Sequence, residues 1–319
     1  MDFLLPFTIS KFPFNISYNS KILLIGSCFS REIGDRMASL KFNVLQNPNG
    51  ILYNPLSIEK SINSYIQNHV YTEDELVSVD GVYHSLQHHS SFSGIEKVSV
   101  VEKINRSQNN AHHFLKQADE LIITFGTAFS YQIKSSGEIV ANCHKIPPEN
   151  FEKRLLEISE IENEFLDLVE KLNIFNPRLK IIFTISPVKH VRDGVVENMQ
   201  SKARLIEAVH YIISKTHNTY YFPSYELVTE VLRDYRFYKE DLVHPNNSAT
   251  EFVFEKFCDS FFDNETMTLK KEVESINRMI NHRPLFEESE SHKAFKLGLS
   301  QKIEELKNSF PGIDFLKEN

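Results

Sequence analysis

Two short segments of this sequence carry side chains that could perform acyl transfer. Ser27 and Cys28 follow the apolar run Lys21–Ile25 and a glycine, and much later an Asp-x-x-His segment places Asp241 and His244 close together. A hydroxyl or thiol can attack a carbonyl carbon, a histidine can take up the released proton, and an aspartate can orient the imidazole. We therefore expect Ser27 or Cys28 to meet Asp241 and His244 in one catalytic site.

The sequence resembles a known family through a series of short motifs. In chain order they are Gly26-Ser27-Cys28-Phe29, Asn47-Pro48-Asn49-Gly50, Tyr53-Asn54-Pro55, Phe125-Gly126-Thr127-Ala128, Asn142-Cys143-His144-Lys145, Ser186-Pro187-Val188-Lys189-His190 and Tyr221-Phe222-Pro223-Ser224-Tyr225-Glu226. Together they resemble the GSCFA-domain family, which is related to the SGNH (GDSL-like) hydrolase superfamily. The resemblance implies a three-layer α/β/α, flavodoxin-like domain and an esterase-like hydrolase or O-acyltransferase that acts on an ester, such as an acylated carbohydrate.

The resemblance also bears on which residue attacks. In the related GDSL pattern the nucleophilic serine is the second residue after the glycine, which corresponds to Cys28, while Ser27 takes the aspartate position. A thiol is the better nucleophile, and a neighbouring imidazole can lower its pKa. Ser27 as nucleophile, and a structural role for Cys28 as a small buried residue, remain alternatives. The departure from serine also leaves open a non-catalytic ligand-binding module that retains the fold.

The resemblance implies an oxyanion hole with one altered part. The related hydrolases use the N–H of the nucleophile, a loop glycine and an asparagine; Gly50 resembles the glycine, but Ala128 stands where the asparagine is expected. One oxyanion donor contributes about 3–4 kcal/mol of transition-state stabilisation. We therefore expect Thr127 or Asn142 to replace the asparagine.

Further histidines suggest contacts with substrate but not with a metal ion. His144 and His190 follow predicted strands on loops, where they could contact substrate or simply bond the backbone. The pairs His88-His89 and His112-His113 lack the ligand spacing of a zinc site. The sequence therefore predicts no metal and no cofactor.

Apolar runs alternate with helical patterns, which predicts an α/β fold with a mostly parallel sheet. The predicted strands are Lys21–Ile25, Phe42–Leu45, Glu120–Phe125, Lys180–Ile185 and Thr219–Phe222. The predicted helices cover about 30–40, 56–68, 109–117, 152–172, 198–216 and 248–262. A hairpin around Ser135-Ser136-Gly137 and a second within about 73–101 are expected to shape a cleft.

The pattern changes after about residue 264. Residues 265–281 and 288–308 read as two helices separated by a proline, so we divide the chain into an α/β domain, 1–264, and a C-terminal helical extension, 265–319. This extension is expected either to pack on the domain as a helical hairpin or to serve as an arm for homo-oligomerisation.

Composition restricts the partners and the compartment. A net charge of −8 without a basic cluster argues against nucleic acid, and no apolar run is long enough to span a membrane. The segment Met1–Phe7 lacks the features of a secretory signal, and three cysteines without a C-x-x-C pair suit a reducing environment. The expected location is cytoplasmic, and the expected partner is a small-molecule or carbohydrate ester.

Overall fold

The computed structural model of the chain describes residues 5–286, 288–313 and 315. Residues 1–4 of the N-terminal segment and 316–319 of the predicted extension lie outside this range. The strands are β1 Lys21–Gly26, β2 Asn43–Gln46, β3 Leu76–Val79, β4 Val82–Ser85, β5 Glu120–Phe125, β6 Phe129–Ile133, β7 Ile139–Val140, β8 Phe151–Leu155, β9 Lys180–Ile185 and β10 Thr219–Tyr221. The helices are α1 Cys28–Ser39, α2 Pro55–Gln67, α3 Lys97–Gln117, α4 Ile158–Phe175, α5 Val195–Lys215, α6 Ser224–Glu226, α7 Asn247–Phe261, α8 Asn264–Ile280 and α9 Glu290–Ser309.

Five strands form the central sheet, in the order β10-β9-β5-β1-β2, and every neighbouring pair is parallel. Counted along the chain, this order is 2-1-3-4-5, the flavodoxin-like arrangement. The chain reverses its direction across the sheet between β1 and β5, and ligands of such folds bind outside the carboxyl ends of the strands at that switch point. The predicted fold class is confirmed, and the five predicted sheet strands are present to within one residue at each end.

The sheet is covered on both faces because its strands alternate between two cores. Leu23, Ile25 and Leu121 pack with residues of α2 to α5, whereas Ile22 and Leu24 pack with residues of α1, α7 and α8. Each core consists of side chains that are almost wholly excluded from water. Burial on both faces explains why these strands read as continuous apolar runs rather than as alternating ones.

The two small sheets next to the main one include the predicted hairpins. β3 and β4 pair antiparallel, as do β6 and β7. A third strand, β8, pairs with β6, so the prediction of a helix from residue 152 was wrong, and α4 begins at Ile158. Phe151–Leu155 has three consecutive charged residues at its centre, and its strand conformation depends on pairing with β6. The helix predicted at 109–117 starts twelve residues earlier, at Lys97.

The C-terminal helices share a core with the α/β domain. Leu269, Val273 and Ile276 of α8 are buried in the same cluster as Phe257 of α7, and Leu306 of α9 joins them. Asn277 also donates a hydrogen bond to the carbonyl oxygen of Ser39 at the end of α1. Within the described part of the chain, no helix is long and apolar enough to cross a membrane.

A buried carboxyl group begins β5. Glu120 is only 3% exposed, and its Oε2 has no hydrogen-bond partner among the described residues. Burial, together with the neighbouring Asp119, raises the pKa of Glu120 to about 8. The folded protein therefore keeps a proton on Glu120 over a pH range in which the unfolded chain has lost it.

We predict that Glu120 makes the protein less stable as the pH rises. Between pH about 4.5 and 8 the folded state holds one more proton than the unfolded state, so the free energy of unfolding should fall by up to about 1.4 kcal/mol per pH unit. Glu120→Gln should remove this slope in urea denaturation measured from pH 5 to 9. Glu102→Gln, which changes an exposed carboxyl on α3, is the matched control. An unchanged slope in Glu120→Gln would contradict the assignment.

Candidate active site

The turn from β1 into α1 requires glycine at position 26. Gly26 has φ +139°, and a Cβ atom there would lie 2.2 Å from the carbonyl oxygen of Thr124 on β5. The Gly26 N–H donates to Oδ1 of Asn47 at 2.8 Å, and the Ser27 N–H donates to that Thr124 oxygen at 3.2 Å. The chain therefore leaves the sheet while packed against β5, and it enters α1 at the switch point.

Ser27 and Cys28 occupy different environments at this turn. Ser27 is the N-cap residue of α1 and is wholly buried, and its Oγ has no hydrogen-bond partner in the part of the chain that the structure describes. Cys28 is half-buried at the first position of the helix and lines a cleft. Of the two candidate nucleophiles, the thiol is therefore the one that a substrate in the cleft can reach.

The thiol of Cys28 is held in its protonated form in this state. Burial raises its pKa above the usual value, and the carboxylate of Glu32 one turn later raises it further. Backbone N–H groups of Phe29 and Cys28 and the ammonium group of Lys202 act in the opposite direction. At neutral pH, Cys28 thus needs a base to accept its proton before it can attack.

Asp241 and His244 form a bonded pair in the loop before α7. Nδ1 of His244 lies 2.7 Å from Oδ2 of Asp241, whose other oxygen accepts the backbone N–H groups of Val243 and His244 at 2.9 Å each. These bonds lower the pKa of Asp241 to about 2, so it is ionised throughout the neutral range. Because Nδ1 faces the carboxylate, Nε2 is the nitrogen available as a base, and His244 lines the same cleft as Cys28.

The cleft has a volume of about 480 Å³ and brings several sequence-predicted residues together. Cys28, Thr127, Asn142, His190 and His244 all line it. Among the lining groups, Lys153 forms an ion pair with Asp193. Within the described ranges, no group of three or more His, Cys, Asp or Glu side chains is arranged to hold a metal ion.

Four predicted residues lie outside the lining of this cleft: Ser27 and Asp241, described above, and Gly50 and His144. The N–H of Gly50 donates to the carbonyl oxygen of Asn47 at 2.7 Å, so it is already used within its own turn. His144 is 6% exposed, and its Nε2 lies 2.7 Å from the carbonyl oxygen of Ser85 and 3.0 Å from that of His88. These bonds tie the loop after β7 to the loop after β4.

His190 presents an unpartnered nitrogen to the turn after β1. Its Nε2 is buried without a hydrogen-bond partner among the described residues, and a Cβ atom added to Gly126 would lie 3.3 Å both from this nitrogen and from the Ser27 Cβ. Burial, the ammonium group of Lys202 and the nearby His244 lower the pKa of His190 to about 3. The imidazole is therefore neutral at any working pH, and one of its nitrogens carries hydrogen.

A polar surface on α5 holds the loops of the site, and the sequence analysis missed it. Asn198 Oδ1 accepts the backbone N–H of His190, and Ser201 Oγ accepts that of Ala128 and lies 3.0 Å from the hydroxyl of Thr127. Lys202 donates to two carbonyl oxygens behind the cleft. We call Asn198, Ser201 and Lys202 the α5 clamp.

Spacing could have revealed the α5 clamp. Its members stand at i, i+3 and i+4, so they lie on the same face of α5 as the buried apolar residues that follow. These apolar residues are Leu205, Ala208, Val209 and Ile212. Polar residues in the apolar stripe of a predicted helix are a signal that something buried must bond them.

The strand order defines a flavodoxin-like α/β domain, and Cys28 and His244 line one cleft beside the carboxyl end of β1. Residues 21–257 match the GSCFA family, and the chain belongs to that family, as the sequence motifs predicted. Residues 273–319 match the C-terminal domain of GSCFA domain proteins. No curated protein sequence matches the chain.

Solved structures with a similar arrangement include esterases. A family 3 carbohydrate esterase from Clostridium thermocellum has 9% identity and a TM-score of 0.37, with 79% of this chain and 97% of that chain covered. A family 3 carbohydrate esterase from Talaromyces cellulolyticus has 10% identity and a TM-score of 0.37, with 79% of this chain and 99% of that chain covered. The acetyl xylan esterase Est2A from Butyrivibrio proteoclasticus has 11% identity and a TM-score of 0.36, with 76% of this chain and 63% of that chain covered. Likeness at this level says nothing about which reaction this chain performs.

The geometry of the β1–α1 turn predicts a large effect of a small substitution. Gly26→Ala should reduce the free energy of unfolding by about 3 kcal/mol or more, because the added methyl group meets the Thr124 carbonyl and the backbone is strained. Gly137→Ala is the control: Gly137 also has positive φ, +72°, but a Cβ there meets nothing within 4 Å, so the loss should be about 1–2 kcal/mol. Equal losses in urea denaturation would show that the contact with β5 is unimportant.

Proposed function

We propose that this protein is an acyl-transfer enzyme that uses Cys28 as nucleophile, His244 as general base and Asp241 as the residue that orients the imidazole. The observation that supports this most is that Cys28 and His244 line one cleft although they are far apart in the sequence. The bond between Asp241 and Nδ1 of His244 leaves Nε2 for proton transfer. A thiol, an imidazole and an ionised carboxylate in this order are the parts of a nucleophilic acyl-transfer site.

In the first step, Nε2 of His244 takes the proton of the Cys28 thiol while the sulfur attacks the ester carbonyl carbon. The raised pKa of Cys28 explains why the base is needed. The tetrahedral intermediate then expels the alcohol, which receives that proton from His244, and a thioester to Cys28 remains. In the second step His244 takes a proton from water, or from an acceptor hydroxyl, whose oxygen attacks the thioester carbon. The second tetrahedral intermediate expels the sulfur of Cys28, which regains the proton from His244, and the acid or the new ester leaves the free thiol behind.

The oxyanion needs donors, and two features of the cleft can supply them. The first turn of α1 has backbone N–H groups directed at Cys28, and helix N-termini favour negative charge. His190 is the second, because a buried nitrogen with no partner among the described residues is suited to bond a group that appears only during the reaction. In our proposal the neutral His190 replaces the asparagine that is absent at Ala128.

The proposed substrate is an ester of a small molecule or a carbohydrate. The resemblance of the motifs to SGNH-type hydrolases suggests this class, and the cleft is of a size that accepts a small ligand. A non-catalytic binding module is the second candidate, favoured by the cysteine in place of serine. The two differ in whether Cys28 forms a covalent intermediate.

The nucleophile can be tested with p-nitrophenyl acetate and with trapping of the acyl-enzyme. Cys28→Ala should lower turnover by about 10³-fold or more and abolish acylation detected by mass spectrometry, whereas Ser27→Ala should keep measurable activity. His244→Ala should lower turnover by about 10²–10⁴-fold. Loss of acylation in Ser27→Ala but not in Cys28→Ala would move the assignment to Ser27. Wild-type protein that is never acylated by this ester or by acetylated oligosaccharides would favour the binding module.

The proposed donor role of His190 predicts a particular kinetic pattern. His190→Ala should lower kcat by about 10²–10³-fold with little change in KM, since the donor acts on the oxyanion rather than on the bound ester. Alkylation of Cys28 by iodoacetamide forms no oxyanion, so its rate should change far less than kcat. His113→Ala, which alters an exposed histidine on α3, is the control. A rise in KM with unchanged kcat would instead assign His190 to substrate binding.

A further inference from the structure

Lys202 is a buried cation to which the mechanism above gives no part. Its side chain is 1% exposed, and its Nζ donates to the carbonyl oxygens of Gly126 at 2.6 Å and Ser186 at 2.7 Å. These residues immediately follow β5 and β9 at the carboxyl edge of the sheet. A buried charge is costly unless it is bonded, so a lysine here requires a compensating role.

The two carbonyl groups connect Lys202 to the residues of the site. Gly126 precedes Thr127, and Ser186 begins the loop that carries His190, so one ammonium group ties together two loops that border the cleft. The other members of the α5 clamp bond the same loops but carry no charge. Lys202 therefore adds an electrostatic effect to the bonds that the clamp provides.

We propose that Lys202 is a positioning residue whose buried ammonium group holds the loops of Thr127 and His190 and stabilises negative charge at Cys28. The inference deepens the proposed function, since it concerns the nucleophile assigned there. Lys202 cannot touch the substrate, because its side chain is excluded from the cleft surface. Its influence reaches the reaction through the two carbonyl groups and through its charge.

Several other ionisable groups surround the pair formed by Lys202 and Cys28. They are Glu32 on α1, Tyr53 before α2, His190 after β9, Tyr225 on α6, and His244. Glu32 opposes ionisation of Cys28, and Lys202 favours it. His190 is neutral throughout, because its pKa is about 3. His244 is the group from which the effect of Lys202 must be separated experimentally.

The charge on Lys202 depends on pH, so its effect on the reactivity of Cys28 should depend on pH as well. Burial lowers the pKa of Lys202 to about 7, so the ammonium group is present below this pH and lost above it. Lys202 should therefore stabilise the thiolate of Cys28 at pH 5.5–7, and it should stabilise the thiolate much less at pH 8. A loss of packing alone would slow Cys28 by the same factor at every pH.

The test is the rate of alkylation of Cys28 by iodoacetamide from pH 5.5 to 9, followed by peptide mass spectrometry on the full-length protein. Lys202→Met should slow alkylation about tenfold below pH 7, which corresponds to one pKa unit, and the difference should shrink above pH 7. Ser201→Ala is the matched comparison, because it removes an uncharged member of the α5 clamp. It should leave the shape of the pH profile unchanged.

Two results would overturn the proposal. One is a pH profile in folded Lys202→Met that matches wild type, and the other is the same pH-dependent slowing in Ser201→Ala. If Lys202→Met does not fold, the comparison is between wild type and His244→Ala. In both proteins the slope of the alkylation rate of Cys28 against pH should change near pH 7, where Lys202 loses its proton. A change of slope that disappears in His244→Ala belongs to His244 and also contradicts the proposal. These outcomes concern the reactivity of Cys28, so they are independent of whether any ester is turned over.

Discussion

The close approach of β1 to β5 is the constraint on which the candidate site depends. Gly26 lies against the carbonyl group of Thr124 so tightly that a side chain has no room, and the following N–H bonds that same carbonyl. This contact fixes where the chain leaves the sheet and hence where α1 begins. The position of Cys28 at the first turn of α1, with N–H groups around its sulfur, follows from it.

The environment of the site is a balance between opposing electrostatic effects. Burial and Glu32 hold a proton on Cys28, while the start of α1 and Lys202 favour its removal. Asp241 is kept ionised by two backbone N–H groups and by the ring of His244, and His190 is kept neutral by burial beside a cation. One loop histidine is thus equipped to accept a proton and the other to remain uncharged, a division of roles that depends on surroundings rather than on residue type.

The central sheet could be predicted from the sequence because its signals are local. Continuous apolar runs such as Glu120–Phe125 are followed by turn residues, and the parallel arrangement follows from the helices between them. β8 could not be predicted in this way, since a charged segment becomes a strand there only through its partner β6. Cys28, Asp241 and His244 stood out by residue type and motif. The α5 clamp has a weaker signal, because its polar residues stand out only by lying in the apolar stripe of a helix, and the loops that they bond are known only from the fold.

The shared core between the C-terminal helices and the α/β domain has a consequence for how the protein can be divided. The chain matches two separate family regions, 21–257 and 273–319, yet Val273, Ile276 and Leu306 are buried in the cluster that also covers one face of β1. The boundary between the regions is therefore one of sequence relationship and not of independent folding. A fragment that ends near residue 260 would expose an apolar surface beside α1, so we expect the helix that carries Cys28 to unfold together with α8 and α9.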